Sequence, residues 1–259
     1  MTQTAVPTTP PQPGRPQPAP APPPPKPPNN LVGLALLAGF LAAGWGLVRG
    51  VATGPLTFAF VMLGWVLSVM AHEFSHALTA YVGGDHTVRA KGYLAFDPRR
   101  YGDLGTSVVL PIVFLALGGI GFPGGAVYLR NDLMRGPVWR AAAALAGPAA
   151  TFAILLVLSF ALSFWRGWGL QTRGEATLFA ALTMLAFLQA TALILNLLPI
   201  PGLDGFGAIR PFLPASLTPH IRRAEGLAMV ALLLVIFVIP GASAFLIRWA
   251  AALSAALGL

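Results

Sequence analysis

The sequence predicts an all-α polytopic membrane protein of about five to six transmembrane helices, and three observations predict it. Of 259 residues, 56% are hydrophobic and only 9% are charged, where a soluble domain is nearer a quarter charged. Mean hydropathy is +0.74. The apolar residues are also gathered into long runs, and a helix needs about 20 of them to cross about 30 Å of hydrocarbon.

The chain opens on a tail, residues 1–30, that holds 13 of the 25 prolines. Proline cannot continue a helix or a sheet ladder, so a disordered or polyproline II segment is expected, one able to meet a proline-binding partner. It lacks the basic, apolar and cleavage regions of a signal peptide. Residues 31–259 then form the membrane domain, in which long apolar runs alternate with short polar connections. The first run is Leu31 to Val48, without a charge, and the second extends from Pro55 to about Val82. The third, Gly105 to Phe122, is short and carries Pro111, Gly118, Gly119 and Gly121, so a re-entrant or bent path is expected. The fourth covers roughly Val138 to Trp165, the fifth Ala176 to Leu198 and the sixth Leu227 to Ile247. Each reads as a membrane helix.

Composition also limits the function classes. There is no cysteine, which excludes a disulfide scaffold and a thiolate metal site. The net charge of +8 is spread through short loops, where it meets anionic lipid headgroups rather than nucleic acid. Arg89, Lys91, Arg99 and Arg100 make the loop after the second run the most basic, which directs that end to the cytoplasmic face of the cell membrane.

The second run carries the chemistry, in His72-Glu73-Phe74-Ser75-His76. Two histidines and a glutamate inside an apolar helix are costly and need a reason. Residues four apart share a helical face, so His72 and His76 can direct ring nitrogens to one point. This is the H-E-x-x-H pattern: two zinc ligands, with Glu73 as general base toward water. Zinc in a catalytic site takes three protein ligands. Asp204 is the carboxylate in an apolar setting, within Asn196-Leu-Leu-Pro-Ile-Pro-Gly-Leu-Asp204-Gly205. Pro199 and Pro201 bar a regular helix there, and unwound backbone at membrane depth belongs where it lines a cavity. His86 and His220 are weaker candidates, in loop contexts.

These paired motifs resemble the site-2 protease family of intramembrane zinc metalloproteases, in its compact prokaryotic form without a PDZ or CBS domain. The resemblance spans roughly 55–205. It implies one zinc ion per chain, with His72, His76 and Asp204 as ligands and Glu73 as catalytic base. It further implies that Asn196 contacts substrate or the oxyanion. Gly147-Pro148-Ala149-Ala150 is similar to the family's Gly-Pro motif, which often carries asparagine where this chain has Thr151. Phe122 to Leu129 resembles the family's membrane-associated hairpin, which presents substrate as an added strand. The implied activity is peptide-bond hydrolysis in membrane-protein substrates whose helices can unwind. A metal-ion transporter would stage polar residues along a path, and a non-catalytic scaffold would have lost a key residue; the sequence shows neither.

The ligands of one ion must share one side of the membrane, so an even number of crossings must separate His76 from Asp204. Three runs end or intervene between them. Either 105–122 does not cross simply, or the fifth run unwinds early enough to hold Asp204 deep within the membrane.

Overall fold

The computed structural model describes residues 30–51, 53–101 and 127–259. The proline-rich tail, the run 105–122 and the first half of the 122–129 hairpin lie outside the described residues. Eight helices are described, and no strand occurs among the described residues: α1 (Leu31–Val48), α2 (Thr53–Gly83), α3 (Thr87–Ala90), α4 (Pro137–Trp168), α5 (Arg173–Leu197), α6 (Asp204–Ile209), α7 (Thr218–Val238) and α8 (Ala242–Ala256).

Four of these, α1, α2, α4 and α5, are each long and apolar enough to span a bilayer alone. The chain is an all-α polytopic membrane protein. Local sequence explains where the helices begin and end. Pro137 opens α4 at the first turn, where its missing N–H costs nothing. Thr172 and Glu175 form a capping box at the start of α5, satisfying two backbone donors that the helix leaves free. Leu198, extended ahead of Pro199, ends α5.

The sixth apolar run is not one continuous helix. α7 and α8 meet at an angle of 89°, with Gly241 at φ +88° as the cap between them. Pro240 cannot continue the first helix, and the left-handed conformation of Gly241 redirects the chain. If the bent pair is one span, the count rises to five.

α2 is central, packing on α1, α4 and α5. Its Phe60, Val61 and Trp65 are buried with Leu155, Leu162 and Leu185 from α4 and α5. The outward faces stay apolar: Leu41 and Trp45 of α1, Val157 and Phe160 of α4, and Val238 of α7 are all exposed. Apolar side chains on both faces are what a hydrocarbon surround requires.

The bundle has two ends. At one, the amide of Arg135 just before α4 donates to the carbonyl of Gly83 at 2.9 Å, and Phe96 N–H donates to Asn30 Oδ1 before α1 at 3.1 Å. At the other, Gly174 of α5 lies against the carbonyls of Leu47 and Val48 of α1. Arg166 of α4 donates there to the carbonyl of Gly258 at 3.2 Å. The chain therefore re-enters α4 at the end where it left α2. α4 and α5 then cross once each way, which brings Asp204 back to the end that holds His72 and His76. The parity condition is met.

Candidate metal centre

His72, Glu73 and His76 lie in the C-terminal half of α2. At 1.5 Å rise per residue, His76 and His72 sit about 10 and 16 Å below Gly83. All three are buried. Asp204 reaches them because α5 stops at Leu197 and the chain turns through Pro199, Pro201 and Gly202, whose φ is +100°. Gly205 lets the first turn of α6 tuck under the end of α5. A Cβ at that position would lie 2.2 Å from the carbonyl oxygen of Leu197.

The donor atoms converge. The two Nε2 atoms are 3.0 Å apart. Asp204 Oδ2 lies 3.1 Å from His72 Nε2, and Oδ1 lies 3.4 Å from His76 Nε2. Tetrahedral zinc with bonds of about 2.0–2.2 Å spaces its donors about 3.3–3.6 Å apart, so the triangle needs only slight opening to hold an ion. Among the described residues this is the group of His and carboxylate atoms able to do so.

The outer ring nitrogens fix the tautomers. His76 Nδ1 is 2.6 Å from the carbonyl oxygen of Ala143. A carbonyl only accepts, so Nδ1 carries the proton and Nε2 of the neutral ring presents a lone pair inward. For His72 Nδ1 the partner is Thr151 Oγ1 at 2.9 Å, a hydroxyl that accepts the ring proton when Nε2 is bare. Such outer partners orient ligating histidines and raise their basicity. Thr151 thus stands beside His72 with a hydroxyl oxygen as its partner. Two bare nitrogens and a carboxylate facing one point repel each other unless a cation lies among them, and the donor set suits zinc.

Gly147 completes the cradle. A Cβ there would lie 2.2 Å from His76 Nε2 and 2.5 Å from His72 Nε2, in the space the ion needs. Pro148 follows within α4 and removes the backbone donor that Ala144 would otherwise meet. Ala144 borders the open cavity.

That cavity, about 880 Å³, is lined by His72, Glu73, His76, Asn196 and Asp204 together with Val127, Tyr128 and Leu129. Glu73 does not join the metal-holding group, and its Oε2 accepts the amide of Val127 at 3.1 Å. The run 127–130 is non-helical and pinned along its length. Lys91 donates to the carbonyl of Tyr128 at 2.5 Å, and the amide of Arg130 donates to Asp85 Oδ2 at 2.7 Å. Behind the histidines a cavity of about 20 Å³, wide enough for one water, is bordered by Ser68, Thr151, Gln189 and Asn196.

The weaker sequence candidates fall elsewhere. His86 is exposed and its ring meets Tyr81, and His220 is exposed on α7. Glu175 caps α5 and Glu225 pairs with Arg210. Sequence reasoning misses Gln189, a buried polar side chain in an apolar run, whose chemistry is its signal. It also misses Asp85, by sequence a loop carboxylate, which is fully buried.

Comparison with known proteins gives consistent relatives. The chain is 44% identical over 214 residues to Rip2 of Mycobacterium tuberculosis, covering 81% of this chain and 78% of Rip2. It is 45% identical over 168 residues to Rip2 of Mycolicibacterium smegmatis, covering 64% and 61%. With YwhC of Bacillus subtilis it shares 25% over 184 residues, covering 70% and 81%. All three are named as zinc metalloproteases. No family model and no solved structure matches the chain.

Proposed function

The chain belongs to the site-2 protease family of metalloproteases, and from that premise we propose that it is a zinc endopeptidase cutting transmembrane segments of other membrane proteins. The observation that carries this reading is the meeting of His72, His76 and Asp204 beside Glu73 about 10–16 Å below the end of α2. An apolar fold does not bury such a set at that depth without a use for it.

His72, His76 and Asp204 hold the ion in this reading, and Glu73 is the base. Zinc, when bound, supplies Lewis acidity, polarising a peptide carbonyl and acidifying water to a pKa of about 7. Glu73 takes a proton from the attacking water and returns it to the leaving amine. Thr151 and Ala143 hold the two imidazoles in one tautomer throughout. Asn196, buried at the inner wall, donates to the substrate carbonyl oxygen as charge develops there.

A substrate helix in lipid has its carbonyls already bonded within itself, so it must unwind before attack. The pinned run 127–130 brings Val127, Tyr128 and Leu129 to the cavity that Asn196 also lines, and an unwound substrate lies along it, exchanging its helical bonds for backbone bonds to this edge. Substrates with Gly or Pro near the cut are therefore favoured. The protein sits in the cell membrane as a multi-pass enzyme with its cavity toward the cytoplasm, as the basic loop 89–100 directs.

The test is purification in detergent with metal analysis, comparing wild type with Glu73→Gln on a panel of transmembrane substrates. Wild type is expected to cleave and the variant to lose at least about a hundredfold in rate, with one zinc per chain in both. Equal cleavage by the variant removes Glu73 from its role, and absence of zinc from both removes the metal.

A further inference from the structure

The cavity wall carries a cation that the mechanism above does not use. Arg140 lies on α4 two turns before Gly147, and with Ala144 it shares the face that borders the open cavity. Its side chain is half-buried, and its Nε is buried with no hydrogen-bond partner among the described residues. The neighbouring cations are engaged. Arg210, which also lines the cavity, pairs with Glu225 at 2.6 Å, and Arg130 pairs with Asp132 at 2.7 Å. Arg135 donates to the carbonyl of Val82 and stacks on Trp139, and Lys91 donates to Tyr128. The cavity's own carboxylates are committed as well, Asp204 to the two histidines and Glu73 to Val127. A half-buried guanidinium whose Nε is buried without a partner, and with no ion pair among the described residues, is costly unless something else brings an acid.

We propose that Arg140 forms a carboxylate-binding subsite, selecting substrates that carry Asp or Glu near the cut on the side of the cavity mouth. The inference rests on the protease reading and adds a specificity to it. Seven residues of helix separate Arg140 from Gly147, about 10 Å. An unwound substrate advances about 3.3 Å per residue, so the acidic side chain falls about three residues from the scissile bond. The planar guanidinium takes both oxygens of a carboxylate, a geometry that an amide does not match. A lipid phosphate could also meet an arginine at this depth, and the experiment separates the two.

Binding is read in the full chain carrying Glu73→Gln, reconstituted with zinc in phosphatidylcholine nanodiscs, so that affinity is measured without turnover. The probe is a fluorescent Leu/Ala transmembrane peptide with a central Gly-Pro pair and one Glu walked from two to five residues away on either side. At one position the Glu peptide is expected to bind at least about tenfold more tightly than its Gln counterpart. Arg140→Gln erases that difference, and Arg140→Glu transfers the preference to a Lys peptide, with zinc content unchanged in both. Equal affinity for Glu and Gln peptides at every position overturns the proposal, as does failure of all peptides to bind. So does an Arg140→Gln effect that appears only with phosphatidylglycerol and ignores peptide charge, which would make Arg140 a headgroup anchor. Cleavage by wild type is scored separately: a chain that cuts without charge preference keeps the protease reading and loses this one.

Discussion

At the scale of single residues, the site depends on what is missing at Gly147 as much as on what is present at His72 and His76. A methyl group there would stand 2.2 and 2.5 Å from the two Nε2 atoms, nearly the distance of a zinc bond. Gly147→Ala is therefore expected to lower zinc content in purified protein from one per chain to near zero, with the helical circular dichroism spectrum retained. Full zinc occupancy in that variant would show that the ion binds elsewhere. Thr151 acts one bond further out, through its hydroxyl 2.9 Å from His72 Nδ1, the acceptor for that ring's proton when Nε2 faces an ion. Thr151→Val keeps the shape and removes the acceptor, and a loss of about 10- to 100-fold in zinc affinity follows. Thr151→Asn, which restores an acceptor oxygen, is expected to recover most of it, as competition with a chelator would measure. The residues that sequence singles out, His72, Glu73 and His76 by spacing and Asp204 by its apolar setting, are brought to one cavity. Their legibility has a physical cause: a charge or imidazole in an apolar run is expensive, so it stands out. Thr151 and Gly147 are ordinary residues in a membrane helix and do not stand out. Only coordinates show what their side chains, or the lack of one, leave room for.

At the scale of elements, the approach of α6 to the end of α5 is set by backbone against backbone. A Cβ on Gly205 would meet Leu197 and Leu198 carbonyl oxygens at 2.2 and 2.7 Å, and backbone cannot step aside as a side chain can. Gly205→Ala is expected to push Asp204 away from the histidines at a cost of about 1–3 kcal/mol. The readout is weaker zinc binding together with a lower melting temperature in detergent, whereas Gly136→Ala, with open space at its Cβ, should change neither. Helix positions are readable in the sequence because the length of an apolar stretch decides what can span lipid. Accordingly α1 covers the same residues as the first run, and α2 and α5 differ from theirs by a few. Apolar length alone reads the sixth run as one helix, although Pro240-Gly241 is a local signal for the bend. Asp85 shows the opposite limit. Its turn with Thr87 is local and visible, but its burial depends on the amide of Arg130, 45 residues away. No window of sequence contains that contact.

At the scale of the molecule, the arrangement of ends makes a prediction about sides. Asn30, Gly83 and Arg135 gather at the end that the cavity faces, while Val48, Gly174, Arg166 and Gly258 gather at the other. The first group includes the entry to α1, and the second includes the chain's last residues. The N-terminal and C-terminal ends of the membrane domain therefore lie on opposite sides of the bilayer, and an odd number of net crossings joins them. With the basic loop 89–100 inside, position 132 is cytoplasmic and positions 51 and 171 are external. The absence of native cysteine makes each single-cysteine variant its own clean reporter. Asp132, Val51 and Gln171 are all exposed, so a membrane-impermeant maleimide has access to each. In intact cells stripped of any outer layer, cysteine at 51 and at 171 is expected to label while cysteine at 132 labels only after the membrane is opened. In inverted vesicles the pattern reverses. Labelling of 51 and 171 from opposite sides would break the bundle described here. Labelling of all three from sides opposite to those stated would keep the bundle and turn it over, placing the cavity outside the cell and leaving the charge rule as the step that failed.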